Sequence, residues 1–419
     1  MSAFILSLLL LLISMNLIIV YCEDSLLFAE DTLRDSHGEI IFSSVIFRHG
    51  ERSPITMYPK DPYRDESYRQ EYWPQGRGQL SKIGKLQEYN LGKWFRKRYD
   101  SLISDGYKYD LLKVESSNLD RTIMSAECFM AGFFPPSSSE MWTDDGLRWQ
   151  PIPIRAIPSE LDDMIDFKVD CKRFELEKDL FNESPEAQDF YLKHQKLFNY
   201  VAANTGLNMS SNNVLRAIDN IFYLHDALFI EQSKNLSLPA WTESIYPEPS
   251  KRFASLSLLL VAYSHQMRRI KAGPLIGKLV EEMELKMKKK LNAKFHFYSG
   301  HDSTISGLLT ALEMYKDIFI WPPYSASVII ELRQKEQNYV VTILYRNSTT
   351  SPPQHLRLRG CEYVCTWDNF KALIQDLIPE NVDDECESNL VKKVSTSNDH
   401  NIFQQMIKSV GLDTKTESP

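Results

Sequence analysis

Arg48-His49-Gly50-Glu51-Arg52-Ser53-Pro54 sets one histidine between two arginines at the end of an apolar run. A guanidinium stays charged and presents a planar fork of donors that matches phosphate oxygens. A neutral imidazole between two such forks can attack phosphorus and carry the phosphoryl group as a covalent intermediate. The chemistry this set points to is phosphoryl transfer without metal. Taken alone, Arg-His-Gly also fits a surface turn flanked by solvated arginines. For the tripeptide alone the surface turn is the better reading, and the neighbouring elements say where the residues would sit. Residues 40–47 are rich in β-branched and aromatic side chains, include no acid to neutralise the arginines, and read as a buried strand. Gly50 and Pro54 break that pattern, so residues 48–52 fall on a loop at the strand's carboxyl end, where ligands bind in open α/β sheets.

A second strand-like run, residues 295–300, ends at His301-Asp302, and Ile305, Leu308, Leu309 and Leu312 follow at helical spacing. Asp302 therefore stands where a helix cap is expected, and its carboxyl is also the proton donor that the first half of the site lacks. Arg121 lies between a third strand, residues 109–116, and a helix beginning near Thr122, with Asn118 or Asp120 as its cap.

These segments recur together in one family. Arg48 to Pro54 match Arg-His-Gly-x-Arg-x-Pro at every fixed position. Trp73-Pro74-Gln75-Gly76, Gly78-Gln79-Leu80-Ser81, Asp120-Arg121-Thr122-Ile123-Met124-Ser125-Ala126 and Tyr298-Ser299-Gly300-His301-Asp302 follow in order. From about Ile40 to Cys386 the chain resembles the histidine acid phosphatases, the branch of the histidine phosphatase superfamily that includes the prostatic and lysosomal types of animals. The resemblance implies an α/β fold, a mixed sheet flanked by helices with an inserted, mainly helical subdomain. It implies His49 as nucleophile, Arg48, Arg52, Arg121 and His301 as the phosphate clamp, and Asp302 as the acid. Hydrolysis of phosphomonoesters at acidic pH, with no metal or cofactor, insensitivity to EDTA and a homodimer are further expectations. So is a disulfide between Cys171 and Cys386.

The whole chain bounds the setting. Its 419 residues suffice for two domains or one large domain with an insertion, and a net charge of −8 argues against a general nucleic-acid binder. Residues 4–20 form an apolar run without charge, read as a signal peptide over residues 1–22, with an uncleaved amino-terminal anchor as the other reading. No comparable run follows, so a secreted or lysosomal, luminal protein with no later membrane span is expected. Cys361 and Cys365 are close enough to bridge, and no second pair of ligands supports zinc. Cys128 is then left as a buried free thiol. Asn182, Asn208, Asn235 and Asn347 begin glycosylation tripeptides.

The expected organisation is an α/β core in two pieces, residues 23–134 and 250–390, a helical insertion at 135–249 and a polar tail at 391–419. Residues 61–73 read as a surface loop. Residues 80–99 read as a helix burying Leu80, Ile83, Leu86, Leu91, Trp94 and Phe95, and residues 252–270 and 275–291 as two core helices. His194, His225 and His265 lack a metal-binding pattern and read as structural. A phosphoryl-transfer mutase shares the Arg-His-Gly start, but the leader and His301-Asp302 favour the phosphatase. An inositol-phosphate hydrolase calls for more pocket cations, and an exported phosphate-binding protein without turnover is the alternative outside enzymes. No Gly-x-Ser-x-Gly supports a serine hydrolase.

Overall fold

The computed structural model describes residues 37–103, 106–167, 170–318, 321–347, 352–387 and 397–413. The leader lies outside them. Eight strands form one sheet: β1 (Glu39–Arg48), β2 (Leu112–Ser117), β3 (Arg155–Ile157), β4 (Phe295–Gly300), β5 (Ser327–Lys335), β6 (Asn338–Arg346), β7 (Gln354–Leu356) and β8 (Val364–Thr366). The order is β3-β2-β4-β1-β5-β6-β7, with β8 also on β6. β1, β2, β3 and β4 run parallel, whereas β5 to β8 add antiparallel pairs. The parallel half carries the function. Its registers pair Arg48 with Gly300 and Ser116 with Ser299, so β1, β2 and β4 end level with one another.

Helices cover both faces, which explains why β1 is apolar on both sides. Val45 and Phe47 pack toward α2 (Lys82–Arg98) and α3 (Asp120–Phe133), which follow α1 (Glu66–Tyr72) in the chain. Phe42 and Ile46 face the other way. That second layer draws on α4 (Lys172–Glu183), α5 (Pro185–Lys193), α6 (Gln195–Thr205), α7 (Val214–Ser233), α8 (Ser250–Leu260), α9 (His265–Lys271), α10 (Gly273–Met287) and α11 (Asp302–Ala311). Buried Phe181, Phe190 and Phe198 of the insertion belong to the same apolar cluster as Ile46 of the sheet. The helical segment thus shares one core with the sheet.

Several sequence expectations need correction. Residues 61–73 are not all loop: they contain α1, although that helix buries none of its residues. On α2, Ile83 and Leu86 are exposed, and the buried face is Gly84, Glu88, Leu91, Gly92 and Phe95. A Cβ on Gly92 would stand 2.0 Å from the Phe129 carbonyl oxygen, so α2 and α3 meet backbone to backbone. Residues 252–270 form two helices, α8 and α9, and Arg155–Ile157 within the expected insertion belongs to the sheet. After α12 (Trp367–Ile374) and α13 (Val382–Glu387), the expected polar tail contains α14 (Ser397–Ser409). Phe403, Met406, Ile407 and Val410 are buried there, because an apolar stripe at helical spacing runs through a polar composition.

Cys171–Cys386 and Cys361–Cys365 are disulfides, with Cα separations of 4.7 and 5.3 Å. Cys128 is a free, half-buried thiol. Asn208, Asn235 and Asn347 are exposed, but Asn182 is buried and its side-chain oxygen accepts the Leu215 N–H at 3.0 Å. A glycan on Asn182 is incompatible with that packing. No described helix is long and apolar enough to cross a membrane.

Candidate active site

The loop carrying His49 is held on three sides. Arg48 N–H donates to Ala326 O at 2.9 Å and His49 N–H to Gly300 O at 3.0 Å, so the chain leaves β1 between its two sheet neighbours. Ser53 N–H donates to Gln79 O, Gly78 N–H to Pro54 O, and Ser81 N–H to Glu51 O. Residues 78–81 therefore brace the loop from outside. Gly50 lies against α2: a Cβ there would be 2.4 Å from Gly84 O, which only glycine tolerates.

His49 Nδ1 lies 2.8 Å from the Gly50 carbonyl. A carbonyl only accepts, so in the neutral ring the proton sits on Nδ1 and the Nε2 lone pair is free. Burial, followed by Arg48, Arg121, Arg52 and His301, pushes this imidazole well below its ordinary pKa. The shift favours the neutral, nucleophilic form of the ring. His301 from the end of β4 stands edge-on to it at 5.6 Å between ring centres. Its Nε2 is 2.8 Å from Ser117 Oγ, at the end of β2, and 3.5 Å from Asp166. Burial lowers His301 to about 4, against the upward pull of Asp166.

Each β1-loop guanidinium already has a carboxylate. Arg52 donates to both Asp226 oxygens, at 3.0 and 3.2 Å, with both side chains buried. Arg48 Nη2 meets Asp302 at 2.9 Å, its Nη1 donates to Pro322 O at 2.6 Å, and its plane lies 4.3 Å over the Tyr324 ring. Burial drives the Asp302 carboxyl up, but Arg48, Arg52 and His301 outweigh it and hold the group below the usual range. Arg121, at the start of α3, is lowered to about 10 by burial and then by Arg52, and stays charged.

The six residues singled out from the sequence converge on one buried pocket. Asp302 is the first residue of α11, and its Oδ1 accepts Ser303 N–H at 2.9 Å, so it combines a helix-start position with its place beside Arg48. Neither Asn118 nor Asp120 caps α3: Leu119 occupies the N-cap position with no side-chain cap hydrogen bond, and Asp120 is the helix's first residue. Asp226, Tyr324, Ser117 and Asp166 were not singled out. Asp226 is one of three acids on α7, with Asp219 and Glu231, and no spacing in the sequence sets it apart. His194, His225 and His265 bond to Phe190 O, Ser250 Oγ and Asp376 away from the pocket. Among the described residues, no three His, Cys, Asp or Glu side chains are grouped to hold a metal.

A histidine with Nε2 free of any partner among the described residues, beside guanidiniums beyond parallel strand ends, is an arrangement that could bind a phosphoryl group. Sequence comparison agrees: residues 39–346 match the histidine phosphatase superfamily, branch 2, and the chain belongs to that family. Prostatic acid phosphatase of Rattus norvegicus is 33% identical over 352 residues, covering 83% of this chain and 89% of that one. Lysosomal acid phosphatase of Homo sapiens is 32% identical over 354 residues, covering 83% and 80%. Among solved structures, the phytase of Citrobacter braakii superimposes with a TM-score of 0.59 at 15% identity, covering 84% of this chain and 100% of that one. Hafnia alvei phytase in complex with tartrate gives 0.60 at 14% identity, covering 84% and 99%. At that identity the structural likeness shows the fold.

Proposed function

We propose that the chain is an acid phosphatase that hydrolyses phosphomonoesters through a phosphohistidine at His49, without metal. The observation that carries this is His49 itself, unprotonated, with Nε2 free among Arg48, Arg52 and Arg121. His49 attacks phosphorus in line, and the P–O bond to the leaving group breaks as the N–P bond forms. The three arginines and His301 neutralise the non-bridging oxygens. Asp302 gives its proton to the leaving oxygen, then accepts one from the water that attacks the phosphohistidine.

In the empty pocket Asp302 is held ionised, chiefly by Arg48 against the opposing effect of burial. A bound phosphoryl group draws Arg48 onto its own oxygens and brings negative charge beside the carboxyl. Burial then prevails and Asp302 takes up a proton. Acid is therefore expected to favour the occupied, reactive site. Three carboxyl side chains, Asp166, Asp226 and Asp302, line the same region, which suits one phosphoryl group better than a polyphosphorylated ring. The family relatives named prostatic and lysosomal acid phosphatase, the apolar leader and the two disulfides support export to a secretory or luminal compartment.

Release of phosphate from a generic aryl phosphate at acidic pH tests the reading, comparing the leaderless chain with His49→Ala and Asp302→Ala. The parent is expected to turn over, His49→Ala to lose about 10⁴-fold or more, and Asp302→Ala to fall strongly. A folded parent that binds phosphate or vanadate without turnover would make it an exported binding protein.

A further inference from the structure

The residues beneath the nucleophile loop do more than fill space. Glu88 on α2 is fully buried, and it points at the segment that leads into β5 rather than at any cation. Ser325 Oγ donates to Glu88 Oε1 at 2.6 Å, while Glu88 Oε2 has no hydrogen-bond partner among the described residues. Ser325 holds a positive φ of 59°, a left-handed conformation that costs a non-glycine residue about 1 kcal/mol or more. Its backbone N–H in turn donates to the His49 carbonyl at 3.3 Å. The residues on either side of Ser325 grip Arg48: Tyr324 lies under its guanidinium and Ala326 O accepts its N–H.

We propose that Glu88 is a positioning residue of the reaction, acting through Ser325 to fix the His49 peptide and so the line along which Nε2 meets phosphorus. This rests on the hydrolase reading above. A buried carboxyl with one hydroxyl partner is a costly way to fill a core position, since leucine would pack there without desolvating a polar group. Its use is directional. The turn at Ser325 carries strain, and the bond to Glu88 anchors its side chain against α2, whose backbone contacts the same loop at Gly50. Burial pushes the Glu88 carboxyl well above its ordinary range, against the smaller pull of the Ser325 hydroxyl. The shift favours the neutral carboxyl, whose carbonyl oxygen still accepts from Ser325. An amide has the same shape and the same acceptor.

The test compares kcat, KM and inorganic phosphate affinity for the leaderless parent, Glu88→Leu, Glu88→Gln, Ser325→Ala and the Glu88→Leu/Ser325→Ala double variant. Glu88→Leu is expected to lower kcat by about 10- to 100-fold with KM and phosphate affinity within about threefold, as expected for a nucleophile displaced by a fraction of an ångström. Glu88→Gln is expected to recover most of that loss. Ser325→Ala should match Glu88→Leu, and the double variant should be no worse than either, because both break one connection. Parental kcat in Glu88→Leu, a loss that glutamine does not recover, or additive losses in the double variant would each overturn the proposal. If Glu88→Leu does not fold, Glu88→Gln and Ser325→Ala decide it: impaired Ser325→Ala with near-parental Glu88→Gln supports the role, and any other pairing refutes it. A parent without turnover overturns the hydrolase reading and this role together. A parent that turns over beside an unimpaired Glu88→Leu overturns this role alone.

Discussion

Helix α7 touches two buried clusters of ionisable groups, one in which acids meet cations and one in which acid meets acid. At one, Asp226 meets Arg52 among the guanidiniums of Arg48 and Arg121, the His49 and His301 rings, and the carboxylates of Asp166 and Asp302. At the other, Glu231 faces Asp61 beside the hydroxyl of Tyr58, and among the described residues neither carboxyl forms a salt bridge. Asp61 Oδ1 accepts Tyr63 N–H at 2.8 Å, and the Asp61 and Glu231 carboxyls hydrogen-bond to each other, which requires a proton on one of them. Burial, then Asp61, lifts Glu231 to about 9, and burial lifts Asp61 against the backbone bond from Tyr63 and the pull of Arg64. Burial leads in both clusters, lowering the two histidines with help from nearby arginines and raising the Glu231 carboxyl with help from Asp61. The first cluster pairs its acids with cations, whereas the second pairs acid with acid.

The largest effect that sharpens this contrast is expected at Arg52. Arg52→Ala should cost about 10²- to 10³-fold in kcat/KM, by analogy with the loss of one transition-state donor. Asp226→Asn leaves the guanidinium charged but loosens its bidentate hold, so a loss of about tenfold is expected. Steady-state kinetics on an aryl phosphate measure both. A larger loss from Asp226→Asn than from Arg52→Ala would contradict the assignment of Asp226 as the support and Arg52 as the clamp.

Stability against pH should separate the clusters. His301 titrates at about 4 in the fold and His49 is also depressed, so below about 6.5 the unfolded chain binds more protons and stability falls with falling pH. Glu231 has the reverse sign. Its folded value of about 9 lies above the ordinary 4.5, so between those values the folded chain binds more protons and stability falls with rising pH. Melting temperatures from pH 4 to 9 are expected to show both arms. Saturating phosphate should lift the acid arm, and Glu231→Gln or Asp61→Asn should flatten the alkaline one. An alkaline arm unchanged by either substitution would place its cause elsewhere.

How much of this was legible in the sequence follows from where each signal lives. Arg48, His49 and His301 sit at strand ends with glycine beside them, and parallel pairing brings those ends together wherever the intervening chain runs. Asp226 and Asp61 reach their partners through tertiary packing, and nothing near Arg52 or Glu231 in the chain announces them. The buried face of α2 was misread because its closest contacts are made by Gly84 and Gly92, which a count of apolar side chains passes over. In α14 the spacing of Phe403, Met406, Ile407 and Val410 was present, but the polar composition around it concealed the stripe. The distinction between cluster and partner is the general one: sequence order preserves strand-end motifs and scatters the groups that neutralise them.

The central claim is that His49 carries the phosphoryl group, and trapping that intermediate tests it most directly. The leaderless chain would be mixed with an aryl phosphate at acidic pH and quenched within a turnover into alkali, where phosphohistidine survives, and its peptides then mapped for phosphate. Phosphate on the peptide at His49, absent from His49→Ala, is the predicted result. Turnover with no phosphorylated peptide, or with the phosphate on a different residue, would contradict the account.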